Sequence, residues 1–402
     1  MKKKVFNLVS SNAINYFLTT IFFLFVTKFF GMEAQANLSK IRISIELFST
    51  ILLFGFSSIS ANYINNLKPS KTNLNNFFLI YSIFLFLLYP FLSKLSESIG
   101  IEGHNNSLFY LFTLTLGNAL YVLIRNISLT TSGLKSYLII NFLPPLILCT
   151  LFLFSYIANF KNFNITYGVG ILISLITSYT IYSVNYDKKI FNKKHKIGVI
   201  PGLFKSSLWL YGYNIISLIF TYIAITKLTD NNLNDSATIL SYIILVVNGF
   251  SYPFTSSNYF FLDLWHRIKI KEVNALIYKY LKLLALYSIF IILFVELILP
   301  TFLGYLLNPK FYVLAEHTEL IIFLAVTSIF TKLISNYFIF KKQFKTVFLA
   351  ILLKVIIFTA LIYNNYINLN NILTAFFVSD LFYILTILLV FLYLYRLSKK
   401  IN

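Results

Sequence analysis

Residues Leu299 to Ala315 read LPTFLGYLLNPKFYVLA, in which an apolar run of about helix length reaches Asn308-Pro309-Lys310 and another apolar run begins almost at once. Proline lacks the amide donor that a helix needs and restricts the residue before it, so a helix should end near Asn308. The polar turn lets the chain meet water before a second helix descends. This stretch therefore predicts two antiparallel membrane-spanning helices joined by a tight turn.

The composition of the whole chain agrees with a membrane protein. Hydrophobic types make up 58% of its 402 residues and charged types only 11%, with a mean hydropathy of +0.79. Soluble domains carry about a quarter charged residues and need a polar surface. No stretch of the sequence is polar enough to supply one, which predicts an all-α integral membrane protein.

Apolar segments of about 20 residues, the length that spans a bilayer, recur along the chain and predict about 12 transmembrane helices. The first six lie at residues 6–30, 41–62, 76–95, 107–130, 136–158 and 165–185. The last six lie at residues 203–227, 236–261, 280–300, 318–340, 344–363 and 372–395. The basic stretch DKKIFNKKHK separates them, which predicts an N-terminal lobe at 1–186, a cytoplasmic linker at 187–202 and a C-terminal lobe at 203–402.

Basic residues orient the predicted spans. With a cytoplasmic N-terminus, the outward ends hold seven of the 33 lysines and arginines, namely Lys28, Lys40, Arg42, Lys94, Lys161, Lys227 and Lys310. Nearly all the others lie at cytoplasmic ends, so the positive-inside rule places both termini in the cytoplasm. The net charge of +20 is thus explained by topology and by attraction to anionic membrane lipids, and not by nucleic acid.

A weak internal repeat supports two similar lobes. GFSSISANY at Gly55–Tyr63 ends the second span, and GFSYPFTSSNY at Gly249–Tyr259 ends the eighth. Because each lobe holds an even number of spans, both start on the same side of the membrane. The prediction is a pseudo-two-fold axis along the membrane normal and a central cleft between the lobes.

Three stretches resemble one family of transporters. ILPTFLGYLLNPKFYVLAEHTELIIFLAV is similar to that family's hinge between helices nine and ten, LFGFSSISANYI to its second-span ending, and LTTSGLKSYLIIN to its join between helices four and five. The family is that of O-antigen and polysaccharide repeat-unit flippases, in the superfamily that also holds multidrug extrusion carriers and the lipid II flippase. One departure concerns helix seven, where the family often has an acid and this chain reads FTYIAITKL, with Thr221 and Tyr222.

The resemblance implies translocation of an undecaprenyl-pyrophosphate-linked oligosaccharide, an O-antigen or capsule repeat unit, across the bacterial inner membrane by alternating access. A polysaccharide polymerase and a chain-length regulator are the implied protein partners. The alternatives are a multidrug extrusion antiporter of the same fold, a lipid II flippase, which commonly has two more helices, and a membrane polysaccharide polymerase or ligase. The polymerase or ligase would need a long outer loop, and the sequence offers no paired carboxylates, nucleophile or metal cluster. It therefore predicts no enzyme activity and no cofactor; Cys149 lies alone in an apolar run.

Several polar residues within the spans are candidates for the cleft, because a charge inside a membrane is costly and needs an explanation. Arg42 and Glu46 lie four residues apart on one helix face, as an ion pair or as part of the cleft. Basic side chains near cytoplasmic ends either snorkel to the interface or line the cleft. The predicted substrate-binding set is Arg42, Glu46, Arg125, Lys205, Asn214 and Asn248, and Lys332 is a further residue that either snorkels or lines the cleft.

Three other charges are candidates for coupling. Lys354 and Asp380 lie about 13 to 15 Å below the same outer loop on adjacent antiparallel helices, given the rise of 1.5 Å per residue. They are predicted to form a buried ion pair or a proton-linked switch. Glu296 has no evident partner nearby in the sequence and, in an apolar setting, would favour its protonated form and carry a proton.

Overall fold

The computed structural model describes residues 2–53, 71–87, 90, 105–160, 162–186, 200–267, 282, 284–340, 344–364 and 367–401. All regular elements within these ranges are helical, which confirms the predicted all-α class. The motif at Gly55–Tyr63 and most of the predicted linker at 187–202 lie outside the described residues.

The helices follow the predicted spans closely. In chain order they are α1 Lys2–Leu52, α2 Lys71–Leu87, α3 Asn105–Thr131, α4 Gly133–Ile157, α5 Phe163–Val184, α6 Ile200–Asp230, α7 Asn234–Arg267, α8 Leu284–Leu306, α9 Thr318–Phe340, α10 Phe344–Asn364 and α11 Leu369–Ile401. Seven segments of the described residues are long and apolar enough to cross a membrane. The chain is therefore a multi-pass membrane protein.

The first two predicted spans form one helix with a kink. The sequence predicts separate spans at 6–30 and 41–62, whereas α1 is helical on both sides of Gly31. Gly31 has φ 90° and ψ 172°, a conformation that is open in practice only to glycine because it has no Cβ. The predicted connection at 31–40 is thus corrected to a single non-helical residue followed at once by helix.

Substituting Gly31 by alanine should destabilise the protein by about 1–3 kcal/mol, the usual cost of a side chain in this backbone region. No atom lies within 4 Å of the position where the Cβ would be, so the loss would come from backbone strain and not from a steric clash. Unfolding by SDS in mixed micelles would measure it.

Gly117 on α3 provides the control for that substitution, because its backbone is helical and an alanine Cβ would lie 3.3 Å from the Ile171 side chain and 3.7 Å from that of Leu172, so any loss there would come from packing and not from backbone strain. Equal stability of Gly31→Ala and the unmodified protein would show that the kink does not depend on glycine.

Helix α8 runs past its predicted end. The predicted span 280–300 stops at Pro300, but the helix continues to Leu306 because a π-helical segment, Phe294–Ile298, comes just before the proline. There the Leu299 N–H donates to the carbonyl of Phe294, five residues back. This wider turn accommodates a residue that cannot donate a backbone hydrogen bond. The span is corrected to Leu284–Leu306.

The turn after α8 has the predicted position and an additional element. Asn308 is extended, with φ −159°, and its side-chain oxygen accepts a hydrogen bond of 2.9 Å from the Lys310 N–H. A 3₁₀ helix, Pro309–His317, then leads into α9. The helix therefore ends where the Asn-Pro pair predicts, although the sequence analysis did not anticipate the 3₁₀ helix.

The chain divides into two compact units by packing. Unit 1 comprises residues 1–16, 23–40 and 216–402, and unit 2 comprises residues 17–22 and 41–215. The N-terminal lobe at 1–186, the linker at 187–202 and the C-terminal lobe at 203–402 are predicted from the order of spans along the chain, whereas the two units are defined by contacts. The predicted boundaries stay a prediction.

Unit 2 is built on α3, α4 and α5, which pack on one another and on the second half of α1. Its core includes Ile127 and Tyr182, both almost fully buried. The Asn118 amide donates to the Ser49 hydroxyl at 3.1 Å, and that hydroxyl donates to the carbonyl of Thr115 at 3.0 Å. These bonds tie α1 to α3 inside the unit.

Unit 1 is held partly by charges near its helix ends. The Lys40 ammonium lies 2.6 Å from a carboxylate oxygen of Asp230, and Lys310 pairs with Asp235. The Lys28 ammonium also donates to the carbonyl of Leu306 at 2.6 Å. These contacts join residues that the predicted topology places together at the outward ends.

Candidate functional site

A buried ion pair marks the interior of unit 1. The ammonium of Lys354 on α10 contacts a carboxylate oxygen of Asp380 on α11, and the two side chains are only 16% and 10% exposed. Lys354 lies ten residues from either end of α10, so it is about 15 Å from both ends of the helix. The pair is therefore near the middle of a membrane-spanning helix, where an uncompensated charge is most costly.

Aromatic rings surround the ammonium of Lys354. It lies 4.2 Å from the centroid of the Phe220 ring and 6.0 Å from that of Tyr383, within the range of cation–π attraction. The Phe220 ring in turn stacks on Phe358 at 4.4 Å, with an angle of 13° between the planes, and lies 5.4 Å from Phe376. Helices α6, α10 and α11 thus provide a carboxylate and π faces around one cation.

Lys332 on α9 forms a second polar contact in the same unit. Its ammonium donates to the side-chain oxygen of Asn248 at 3.3 Å and to the hydroxyl of Ser251 at 2.5 Å, both on α7. One turn further along α9, the hydroxyls of Ser335 and Tyr383 share a hydrogen bond of 2.6 Å. These bonds join α7, α9 and α11.

We call Lys332, Lys354 and Asp380 together the lysine–aspartate cluster. The two ammonium groups are close enough to interact electrostatically. Two cations and one carboxylate give the cluster a formal charge of +1. Such an environment repels small cations and attracts anions.

The structure places the remaining predicted cleft residues in unit 2, apart from Asn248 in the contact just described. The Arg42 Nε lies 2.9 Å from a carboxylate oxygen of Glu46, so these residues form the expected pair on one helix face. The Arg125 guanidinium lies 5.8 Å from the centroid of the Tyr121 ring, and Asn214 is half-buried on α6. The side chain of Lys205 lies outside the described residues. Substrate contact by any of these residues stays a prediction.

Glu296 occupies the π-helical segment of α8, and its side chain is exposed. Exposed Leu293 and Leu297 are its neighbours on that surface. The role of Glu296 in coupling stays a prediction.

Sequence analysis missed several members of this site. It left Lys332 open between snorkelling and lining the cleft, and it did not single out Ser251, Phe220 or Tyr383. Some spacing signals were present, since Lys332 precedes Ser335 by three residues, as Asp380 precedes Tyr383. Spacing places two residues on one face but does not say which helix that face meets.

A metal centre is not evident in the described part of the chain. No group of three or more His, Cys, Asp or Glu side chains there is arranged to hold a metal ion. Cys149 is a half-buried free cysteine on α4. The ammonium, carboxylate and hydroxyl groups of the site suit recognition of a ligand by charge and by hydrogen bonds.

Comparisons with known proteins identify the fold. No protein-family model and no curated protein matches the sequence. Among solved structures, the chain is similar to a multidrug resistance MATE family transporter of the MOP superfamily in its inward-facing conformation, with 14% identity, a TM-score of 0.72 and coverage of 98% of this chain and 99% of that one. An outward-facing MATE family transporter of the same superfamily is also similar, with 13% identity and a TM-score of 0.65. The match covers 99% of this chain and 97% of that one.

A third similar structure is a MOP superfamily transporter from Pyrococcus furiosus, with 14% identity and a TM-score of 0.66. The match covers 99% of this chain and 95% of that one. It is described as having a binding pocket of reverse polarity that suggests a different function. At these identities the likeness is one of fold. The sequence predicts about 12 transmembrane helices in two lobes. This is the architecture of the MATE fold, so the likeness confirms the prediction.

Proposed function

We propose that this chain is a membrane transporter that moves its substrate by alternating access. The observation that carries the proposal is the likeness to MATE transporters over almost the whole length of both chains. Solved transporters of this fold have both inward-facing and outward-facing conformations, the two states that alternating access requires. The proposed location is the bacterial inner membrane, with both termini in the cytoplasm.

The first candidate substrates are small organic compounds, exported as by a multidrug extrusion carrier. The comparisons favour this candidate over the flippase, because solved neighbours are described as multidrug transporters.

The second candidate is an undecaprenyl-pyrophosphate-linked oligosaccharide, and the charge of the lysine–aspartate cluster favours it. Two lysines and one aspartate suit the anionic pyrophosphate better than a cationic drug. The MOP transporter with a reverse-polarity pocket supports the idea that substrate charge varies within this fold. A polysaccharide polymerase and a chain-length regulator would be the partners of such a flippase.

A deletion strain of the source bacterium separates the two candidates. A flippase predicts lost surface glycan and accumulation of lipid-linked repeat units on the cytoplasmic leaflet. A drug carrier predicts unchanged glycan and increased retention of cationic dyes. Single repeat units on the outer leaflet would indicate a polymerase instead, and a strain unchanged in both glycan and dye retention would contradict both transport candidates.

Lys332→Met sharpens this test, because it removes one cation from the cluster and keeps an unbranched apolar side chain of similar length. If the substrate is anionic, complementation of glycan display should fall about tenfold, the equivalent of one lost charge contact of about 1.4 kcal/mol. Lys40→Met is the matched control, since Lys40 pairs with Asp230 at an exposed helix end. Full complementation by Lys332→Met would remove the charge argument for the flippase.

A further inference from the structure

The surroundings of the Lys354 ammonium have the composition of an ammonium receptor. A carboxylate oxygen of Asp380 contacts the cation, and the rings of Phe220 and Tyr383 lie at 4.2 and 6.0 Å. Carboxylates combined with aromatic faces are the usual protein ligands for ammonium groups. Alkali metal ions and divalent cations prefer a shell of several oxygen atoms, which these ring faces do not provide.

The occupant of this receptor belongs to the chain itself. Lys354 reaches Asp380 from the neighbouring helix α10. Asp380 binds its Nζ at one end of the side chain, and the helix backbone fixes its Cα at the other. Phe358 lies one turn further along α10 and stacks on Phe220, so one face of α10 provides both the cation and the support for the ring beneath it. The cation is therefore tethered and cannot exchange with solvent.

We propose that Asp380, Phe220 and Tyr383 form a binding site for a primary ammonium ion, which the chain fills with its own Lys354. Because the lysine occupies the site, the native fold of unit 1 needs no external ion there. Removal of the tether would leave a vacant receptor for a free alkylammonium ion. This inference does not depend on the identity of the transported substrate.

Lys354→Ala tests the proposal by chemical rescue. Alanine keeps Cβ and removes three carbon atoms and the nitrogen, and these are the heavy atoms of n-propylammonium. The variant should unfold at a lower temperature than the unmodified protein. Propylammonium at about 50 mM should reverse at least half of the decrease in the midpoint temperature of unfolding, because a ligand that binds only the folded state stabilises it by mass action.

The rescue should depend on ligand length and charge. Methylammonium and pentylammonium should restore less than propylammonium, since the first leaves a void and the second exceeds the space. 1-Propanol, which lacks the charge, should have no effect. The unfolding temperature of the unmodified protein should not change with any of the three ammonium ions, because Lys354 already fills its site.

Two further variants serve as controls. Lys354→Met fills the space without a charge and should show no rescue. Lys354→Ala combined with Asp380→Asn lacks the carboxylate and should lose the rescue. Equal shifts of the unmodified protein and of Lys354→Ala, or rescue by 1-propanol as strong as by propylammonium, would overturn the proposal.

A second measurement applies if Lys354→Ala does not fold. A double-mutant cycle with Lys354→Met and Phe220→Leu reports whether the ring and the ammonium stabilise each other. The proposal expects the two losses in unfolding midpoint to be less than additive, because either change alone removes the cation–π contact. Strictly additive losses would show that the ring does not bind the ammonium.

Discussion

Replacing Asp380 by asparagine should lower the free energy of unfolding by about 3–5 kcal/mol, the usual result of removing one partner from a buried ion pair. Asparagine has nearly the same shape, so the change removes the charge and leaves the packing in place. The Lys354 ammonium would then be uncompensated in the middle of α10, and Lys332 would repel it. SDS-dependent unfolding of the purified protein in mixed micelles measures the loss.

The matched control is an exposed pair in the same unit, Lys40 and Asp230. Lys40 and Asp230 are 28% and 49% exposed, so water screens their attraction, and Asp230→Asn should cost less than about 1 kcal/mol. Lys354→Met combined with Asp380→Asn should lose less stability than Asp380→Asn alone, because no buried charge is then stranded. Similar losses for Asp380→Asn and Asp230→Asn would contradict the idea of a desolvated pair.

The contact between Lys354 and Asp380 was predictable because it depends on simple helix geometry. Two helices joined by a short turn are antiparallel neighbours, and the fixed rise per residue gives depth from sequence position. Equal depth on adjacent helices brought the two residues within reach. The same reasoning paired Arg42 with Glu46, since residues four apart share a helix face.

The rest of the site depends on packing between helices that are distant in the sequence. Lys332 contacts Ser251, 81 residues away, and a hydropathy pattern carries no information about which helix faces meet. Near a predicted cytoplasmic end, a snorkelling lysine and a lysine that bonds a neighbouring helix look alike in sequence. Phe220 was similarly indistinguishable from the many other phenylalanines of the chain until Lys354 was placed against it.

The fold itself was mostly accessible from sequence, because bilayer thickness fixes helix length. The exceptions lie where backbone geometry departs from the regular helix. Gly31 permits an immediate restart of α1 instead of a loop, and the π-helical segment before Pro300 permits α8 to continue. In both places the helix continues where the sequence predicts that a span ends, because the backbone changes conformation locally.

Replacing Phe358 by alanine should destabilise the protein by about 3 kcal/mol, the lower end of the usual range for a buried phenylalanine. Phe358 is fully buried and stacks on Phe220 at 4.4 Å. The lower end applies because lipid is itself apolar, so the loss comes from packing and not from exposure to water. The free energy of unfolding in mixed micelles gives the value, and Phe382→Ala on α11 provides the control, since Phe382 is 47% exposed.

The effect of Phe358→Ala should also depend on the charge of Lys354. Phe220 carries the ammonium on its ring, and Phe358 holds that ring in place. Loss of Phe358 lets the Phe220 ring move, which weakens the cation–π contact as well as the packing. A double-mutant cycle with Lys354→Met should therefore give a coupling of about 0.5 kcal/mol or more, whereas the Phe382→Ala cycle should give none. Additive effects of Phe358→Ala and Lys354→Met would mean that the aromatic stack is ordinary packing, independent of the cation beside it.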